Sequence, residues 1–352
     1  MKTRSLFLAL SLLTLAACAS SDCCMPCCKT GSDHAGGPTL GTIVRKDPRF
    51  DALFAADARM EILAGGYDWC EGPLWIKDGG YLIWSVIPPN KVLKWKEGEG
   101  VSIYLKPSGL TGPKDLRPEP GSNGLLLDPQ GRLVLCQHGD RRMARMDAPL
   151  NAPASKFVTL ADSYEGKKLN SPNDACYHSS GALYFTDPPY GLVNRMEDTT
   201  KELPFQGVFR LGTDGKLTLL TKEVTRPNGI AFSPDEKILY VASSDPDKAV
   251  WWAFPVNADG TLGAGKIFAD MTKDVGKAKG LPDGMKVDVH GNLFATGPGG
   301  LHVFAPDGTL LGTLATGQAT ANCAWGEDGS TLFVMADQYV VRIKTKTKGN
   351  RF

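Results

Sequence analysis

Residues 228–242 read NGIAFSPDEKILYVA, and this stretch decides the fold. A polar residue opens it, a short apolar run follows, and a Ser-Pro-Asp turn leads into a second apolar run. Turn chemistry of this kind between two short apolar runs is typical of a β-hairpin. The stretch therefore predicts two antiparallel strands.

The same pattern recurs along the chain. Further copies are EGPLWIKDGGYLIWS from residue 71, NGLLLDPQGRLVL from 123, NDACYHSSGALYFT from 173, DGMKVDVHGNLFAT from 283 and NCAWGEDGSTLFV from 322. Other β-like runs follow the hairpins, as at 91–96, 207–211 and 249–254, which gives about four strands per repeat. Six such repeats, starting 39 to 55 residues apart, predict an all-β fold, a six-bladed β-propeller. Residues 61–63 are expected to add a strand to the last blade and close the ring.

Composition agrees with a fold that turns often and binds a small ligand. The 352 residues include 40 glycines and 24 prolines, and 42% are hydrophobic. Lys and Arg number 39 against 38 Asp and Glu, and no basic run is interleaved with aromatic residues. We therefore expect no nucleic-acid partner.

The first 17 residues are predicted to be a lipoprotein signal peptide. Lys2 and Arg4 precede an apolar run at 6–15, which is too short to span a bilayer as a helix. Residues 15–18, LAAC, resemble a lipobox, in which Cys18 receives the lipid. An ordinary secretory signal ending near Ala17 is the alternative. We expect a bacterial protein that is periplasmic or extracellular and held on the outer membrane by a lipid at Cys18.

Residues 18–41 are predicted to form a Cys- and Gly-rich tether, and residues 42–352 the propeller. The tether holds a cysteine cluster, Cys23, Cys24, Cys27 and Cys28. Its C-x-x-C spacing suits a thiolate metal site, whereas disulfides are the alternative in an oxidising compartment. Four later cysteines, Cys70, Cys136, Cys176 and Cys323, are expected to be small buried residues. His178, His290 and His302 are expected near surface turns.

The first residue of each repeat carries the chemistry. In a propeller the innermost strands line the central channel, so these residues converge near one mouth. They are Glu71, Asn123, Asn173, Asn228, Asp283 and Asn322. Carboxylate and amide oxygens form a hard site that suits calcium, magnesium or manganese. The alternative is that Asn-Gly and Asp-Gly only make turns.

Four motifs carry a resemblance to a known family. They are EGPLW at 71–75, SPND at 171–174, PNG at 227–229 and PDGM at 282–285. Over residues 50–343 the chain resembles the gluconolactonase/regucalcin (senescence-marker-protein) family. CQHGDRR at 136–142 and TDPPYG at 186–191 resemble its bacterial gluconolactonase branch. Two departures affect the expected substrate pocket: SVIP stands at 85–88 in place of Asp-Ile-Pro, and Ser171 stands where regucalcin-like members carry Arg.

The resemblance implies a lactonase, a carboxylic-ester hydrolase that opens a sugar lactone such as gluconolactone. It implies one divalent metal ion on Glu71, Asn173, Asn228 and Asp283; calcium is favoured, with magnesium, manganese or zinc as alternatives. We expect Asp283 to be both ligand and catalytic base.

Asn123, His138 and Tyr190 are the candidate substrate contacts, although His138 could instead be a structural imidazole. Tyr67, Trp69 and Trp75 are candidates for the pocket wall. Two other functions stay open: a non-catalytic sugar- or metal-binding propeller, and a paraoxonase-like esterase with a second metal and a catalytic histidine.

Overall fold

Short strands joined by tight turns make up the structure, a computed structural model that describes residues 37–351. They form six antiparallel blades around a central channel, as predicted. Strands are given from the innermost outward. Blade one consists of Cys70–Ile76, Tyr81–Val86, Lys91–Lys96 and Gly100–Leu105, and blade two of Ser122–Leu127, Leu133–Gln137, Arg142–Met146 and Phe157–Ala161. Blade three consists of Ala175–Tyr177, Leu183–Asp187, Gly207–Leu211 and Leu217–Thr221.

The other three blades follow the same plan. Blade four consists of Pro227–Phe232, Ile238–Asp245, Lys248–Pro255 and Lys266–Asp270, and blade five of Met285–Val287, Leu293–Gly297, Gly300–Phe304 and Leu310–Ala315. Blade six contains Thr320–Gly326, Thr331–Ala336 and Tyr339–Lys344. Outside the blades lie a ribbon of Ser163–Tyr164 with Lys167–Lys168 and three 3₁₀ turns, Pro48–Ala52, Arg195–Glu197 and Thr272–Asp274.

The ring closes through a strand from the start of the described chain. Glu61–Ala64 pairs with Tyr339–Lys344 and is the outermost strand of blade six, which confirms the expectation for residues 61–63. An ion pair supports this closure, since Arg342 Nη2 lies 2.9 Å from Glu61 Oε2. The segment that precedes the first repeat thus completes the last blade and closes the ring.

Blade five carries a fifth strand that the sequence did not predict. Thr42–Arg45 pairs antiparallel with Leu310–Ala315. The following 3₁₀ turn places Phe50 against Phe54, with ring centroids 4.8 Å apart, in a cluster shared by blades five and six. The segment before the first repeat is therefore part of the propeller and covers the edge of blade five.

The four later cysteines are unpaired thiols inside the sheets. Cys70, Cys136 and Cys323 are buried and Cys176 is partly buried. Burial raises the pKa of Cys70 and of Cys323 to about 12, so these thiols stay protonated at neutral pH. They act as small apolar side chains, as expected.

His302 corrects the prediction that it lies at a surface turn. It is 5% exposed, in the strand Gly300–Phe304, and bonds Thr313 Oγ1 through Nδ1 and the carbonyl of Pro298 through Nε2, both at 3.0 Å. Burial lowers its pKa to about 4, so the ring is neutral near pH 7.

Several predictions lie outside the described residues: the signal peptide, the lipid site Cys18, and the cluster of Cys23, Cys24, Cys27 and Cys28. Among residues 37–351, no helix is both long and apolar enough to cross a membrane.

Candidate active site

The innermost strands contain β-bulges near the first residues of the repeats, at one mouth of the channel. The register of the innermost strand shifts between Glu71 and Leu74 in blade one, and between Pro227 and Ile230 in blade four. Equivalent shifts lie at 122–125 and 320–322. A bulge bends a strand and redirects the side chains beside it. In these four blades the innermost strand therefore departs from regular pairing near the first residue of the repeat.

The glycine after the first residue is required by the close approach of neighbouring blades. A Cβ on Gly72, whose φ is +50°, would lie 2.1 Å from the carbonyl oxygen of Asn123. A Cβ on Gly229 would lie 2.2 Å from the carbonyl oxygen of Asp283. The Asn-Gly and Asp-Gly pairs thus do more than make turns: they let the backbones of successive blades touch at the mouth.

A cavity of about 530 Å³ opens at this mouth. Five of the six repeat-opening residues line it, together with the predicted contact Tyr190. These five are Glu71, Asn123, Asn173, Asn228 and Asp283. The structure therefore brings the whole predicted metal set into one cavity of a size suited to a single small ligand.

Asn322 is the exception, and the prediction for blade six is off by one residue. Thr186 Oγ1 donates to the carbonyl of Asn228, the first residue of the next blade, over 2.7 Å. In blade six the acceptor of the matching bond, from Thr296 Oγ1, is Ala321. Ala321 is therefore the true counterpart of the other five residues, and Asn322 lies one step deeper, where its Nδ2 donates to Glu71 Oε2 over 3.1 Å.

Neither carboxylate of the set forms an ion pair within residues 37–351; Glu71 is 1% exposed and Asp283 is partly buried. Burial raises the pKa of Glu71. Burial raises the pKa of Asp283 well above its usual range, and the negative charges of Glu71 and Asp174 add to the effect. Ionised carboxylates in such a place require a nearby positive charge.

Oxygen atoms in the cavity are also left without donors. Asn123 Oδ1, Asn228 Oδ1 and Asp283 Oδ1 are buried and have no hydrogen-bond partner among residues 37–351. The amide of Asn228 is oriented by Ser244, whose Oγ accepts from Asn228 Nδ2 over 2.8 Å and donates to the carbonyl of Pro282 over 2.6 Å. Its Oδ1 is thus free to act as a ligand atom.

This donor set fits a hard divalent cation. Within the described range no cluster of three or more His, Cys, Asp or Glu side chains comes together, and the four residues of the predicted set supply two carboxylates and two amide oxygens. Oxygen-only sets of this kind suit calcium, magnesium or manganese, whereas zinc prefers nitrogen and sulfur.

Asp174 is a further candidate functional residue, which its position in the repeat did not predict. It follows Asn173 directly and is 5% exposed. Its Oδ1 accepts from the backbone N–H of Ala175 over 2.8 Å, whereas Oδ2 has no partner among the described residues. Burial raises the pKa of Asp174. It adds a third carboxyl group close to those of Glu71 and Asp283.

His138 does not line the cavity. The ring is fully buried, and its Nδ1 lies 3.4 Å from Oε2 of Glu119, which does line it. Among the aromatic candidates, Trp69 lies on the cavity wall. Tyr67 packs edge-on against Trp84, and Trp75 stacks on Phe333.

Glu119 and Arg195 are cavity residues that sequence reasoning missed. Glu119 lies in residues 106–121, between blades one and two, and Arg195 in residues 188–206, inside blade three. Arg195 Nη2 lies 3.1 Å from Glu119 Oε1. Neither segment follows the repeat, so no periodic pattern marks them; only their unusual length could have drawn attention.

The chain is similar to known proteins of one family. The SMP-30/Gluconolactonase/LRE-like family model matches residues 69–338. A gluconolactonase of Zymomonas mobilis is 43% identical over 91% of each chain, and a pentonolactonase of Haloferax volcanii is 32% identical over 75% of this chain and 80% of its own. A crystal structure of a Xanthomonas campestris gluconolactonase is 32% identical, covers 89% of this chain and 98% of its own, and superposes with a TM-score of 0.74.

Proposed function

This chain belongs to the SMP-30/gluconolactonase/LRE-like family and is a lactonase, and from that premise we propose that it hydrolyses a sugar lactone with the help of one divalent metal ion. The observation that carries the proposal is the convergence of Glu71, Asn173, Asn228 and Asp283 in one cavity with uncompensated buried oxygens. The relatives named for gluconolactone and pentonolactone support a sugar lactone as the substrate.

The four side chains would hold the ion through oxygen atoms alone. We propose calcium, because a set with only two carboxylates and several amide oxygens suits a large, hard cation. Magnesium, manganese and zinc are the alternatives that a reconstitution series would separate. When bound, the ion would polarise the ester carbonyl and offset the negative charge that develops on its oxygen.

The chain's own groups supply the remaining steps. Asp283 Oδ1, which has no partner among the described residues, accepts a proton from the attacking water as its oxygen bonds to the carbonyl carbon. The bond from that carbon to the ring oxygen then breaks, and the ring oxygen takes up the proton that Asp283 accepted. The product is an open-chain hydroxy acid.

Asn123 and Tyr190 are placed to contact the rest of the ring, since both line the same cavity. Burial raises the pKa of the Tyr190 phenol, which therefore stays protonated at neutral pH and can donate a hydrogen bond.

A lactone panel tests the proposal directly. Sugar, acyl-homoserine and aromatic lactones are assayed on purified protein, with and without chelator. We expect the fastest turnover on a sugar lactone and its loss in chelator. No turnover of any lactone would remove the proposed function, and full turnover in chelator would remove the metal.

The paraoxonase-like alternative expects a histidine at the reacting atoms. His138, the histidine predicted to contact the substrate, is fully buried and does not line the cavity. Both of its ring nitrogens lack a hydrogen-bond partner among residues 37–351, and Nδ1 lies 3.4 Å from Glu119 Oε2. This favours the lactonase with Asp283 as base over a histidine mechanism.

A further inference from the structure

The pair of Glu119 and Arg195 lies on the cavity wall and has no role in the proposed chemistry. The two side chains come from segments far apart in the chain, and Arg195 Nη2 lies 3.1 Å from Glu119 Oε1. Glu119 is 18% exposed, whereas Arg195 is 55% exposed. An acid and a base joined in this way offer acceptors and donors side by side at one edge of the cavity.

The segment that carries Glu119 is fixed by its neighbours. Asn90 holds it through both ends of its amide: Nδ2 donates to the carbonyl of Leu110 over 2.8 Å, and Oδ1 accepts from the N–H of Gly109 over 2.8 Å. Asp140 accepts from Thr111 Oγ1 over 2.6 Å. These contacts tie the start of the segment, residues 109–111, to the hairpin turns of blades one and two.

Behind the pair lies His138. Its ring is fully buried, and Nδ1 and Nε2 have no hydrogen-bond partner within the described chain. Nδ1 lies 3.4 Å from Glu119 Oε2, on the opposite side of the carboxylate from Arg195. The imidazole thus lies next to one oxygen of Glu119 and Arg195 contacts the other. The carboxylate keeps lone pairs that can accept a hydrogen bond from a donor in the cavity.

Two residues of the same cavity wall have unusual backbone conformations. Arg195 has a φ of +48° and Trp69, which also lines the cavity, has a φ of +53°. Side chains of this size rarely adopt the left-handed region, and such positions cluster at ligand-binding sites. Two of them lie on one cavity, one bearing a guanidinium and the other an aromatic face.

We propose that Glu119 and Arg195 form a hydroxyl-binding subsite that selects a polyhydroxylated lactone over an unsubstituted one, with Trp69 as its apolar wall. The carboxylate accepts from a ring hydroxyl and the guanidinium donates to its neighbour. Adjacent hydroxyls on a sugar ring match this side-by-side pair. A lactone without hydroxyls leaves both charged groups with only each other as partners, so the subsite lowers its relative rate.

The proposal rests on the proposed function and is tested with two lactones of one ring size. D-Glucono-1,5-lactone carries hydroxyls and δ-valerolactone carries none. The ratio of kcat/KM for the two is measured for the wild type, Glu119→Ala and Arg195→Met, with Glu223→Ala as the control, since Glu223 is an exposed carboxylate that does not line the cavity. We expect each subsite variant to lower the ratio about tenfold or more, and the control to keep it.

The outcomes separate the two claims. A wild type that turns over neither lactone removes the proposed function. A wild type that turns over both with equal kcat/KM, or subsite variants that keep the wild-type ratio, overturns the subsite and leaves the lactonase standing. If Glu119→Ala fails to fold in circular dichroism, Arg195→Met decides alone, because its side chain is 55% exposed.

Discussion

Asn322 Nδ2 donates a hydrogen bond of 3.1 Å to Glu71 Oε2, joining the innermost strands of blades six and one. The second donor to the same oxygen is the N–H of Gly72, at 2.8 Å. Asn322 is itself oriented, because its Oδ1 accepts from the N–H of Cys323 over 2.9 Å. One buried amide therefore links the seam of the ring to the carboxylate at its mouth.

Asn322→Ala is expected to weaken metal binding and to narrow the active pH range. The bond from Asn322 lowers the pKa of Glu71 against the larger effect of burial, so its loss raises that pKa further. The acid limb of the activity profile then moves to higher pH. Apparent affinity for the divalent ion falls about tenfold to hundredfold, as is usual when a residue that orients a ligand is removed. Asn257→Ala, on an exposed turn, is the control. Unchanged affinity and an unchanged acid limb would contradict the link.

Asp283→Asn is expected to lower kcat/KM by about 10³-fold, because it removes the base and a charged ligand together. The same substitution is expected to raise the stability of the metal-free protein. In chelator at pH 7.5 the variant should melt above the wild type, since a buried carboxylate beside Glu71 is neutralised. Asp214→Asn, on an exposed turn, should change neither quantity. An active Asp283→Asn variant would show that another group is the base.

The metal-free protein should lose stability as pH rises from about 4 to 7. Burial raises the pKa of Glu71 and Asp283, and raises that of Asp187 to about 7. In this window the folded state holds protons that the unfolded state releases, so the free energy of unfolding falls with increasing pH. We expect a higher Tm at pH 5.5 than at pH 7.5 in chelator, and a smaller difference in saturating calcium. A Tm that rises with pH in chelator would disprove this.

Gly229→Ala tests the contact between blades four and five. The new Cβ would lie 2.2 Å from the carbonyl oxygen of Asp283, a backbone atom that cannot move aside cheaply. We expect a loss of about 1–3 kcal/mol in the free energy of unfolding, together with weaker metal binding. Gly112→Ala, whose Cβ would meet nothing within 4 Å, is the matched control. Equal stability of the two variants would contradict the account.

Repetition is what made the fold predictable. Each hairpin carries its own turn and its own apolar runs, so six blades and the strand at 61–63 could be predicted locally. The edge strand Thr42–Arg45 could not, because it is four residues long, mostly exposed and without alternation.

The site was predictable to the extent that it follows the repeat. Five opening residues reach the cavity as expected. In blade six the polar residue Asn322 stands one position after the opening residue, and Ala321 carries no polar group to mark that position. Glu119 and Arg195 come from segments whose positions depend on packing between distant residues, which no local pattern encodes.

The lipid anchor at Cys18 is a separate proposal. We expect the wild type in the membrane fraction and Cys18→Ser in the soluble fraction of an expressing bacterium. Cys24→Ser, in the same tether, should stay with the membrane. Identical fractionation of Cys18→Ser and the wild type would remove the anchor.

The dependence of lactone hydrolysis on one bound metal ion is tested by measuring metal stoichiometry and lactone turnover in one calcium titration of chelator-stripped protein. We predict one ion per chain, turnover that rises in step with its binding, and the loss of both in Glu71→Gln. Full turnover by protein that elemental analysis finds free of metal, or two ions required per chain, would contradict it.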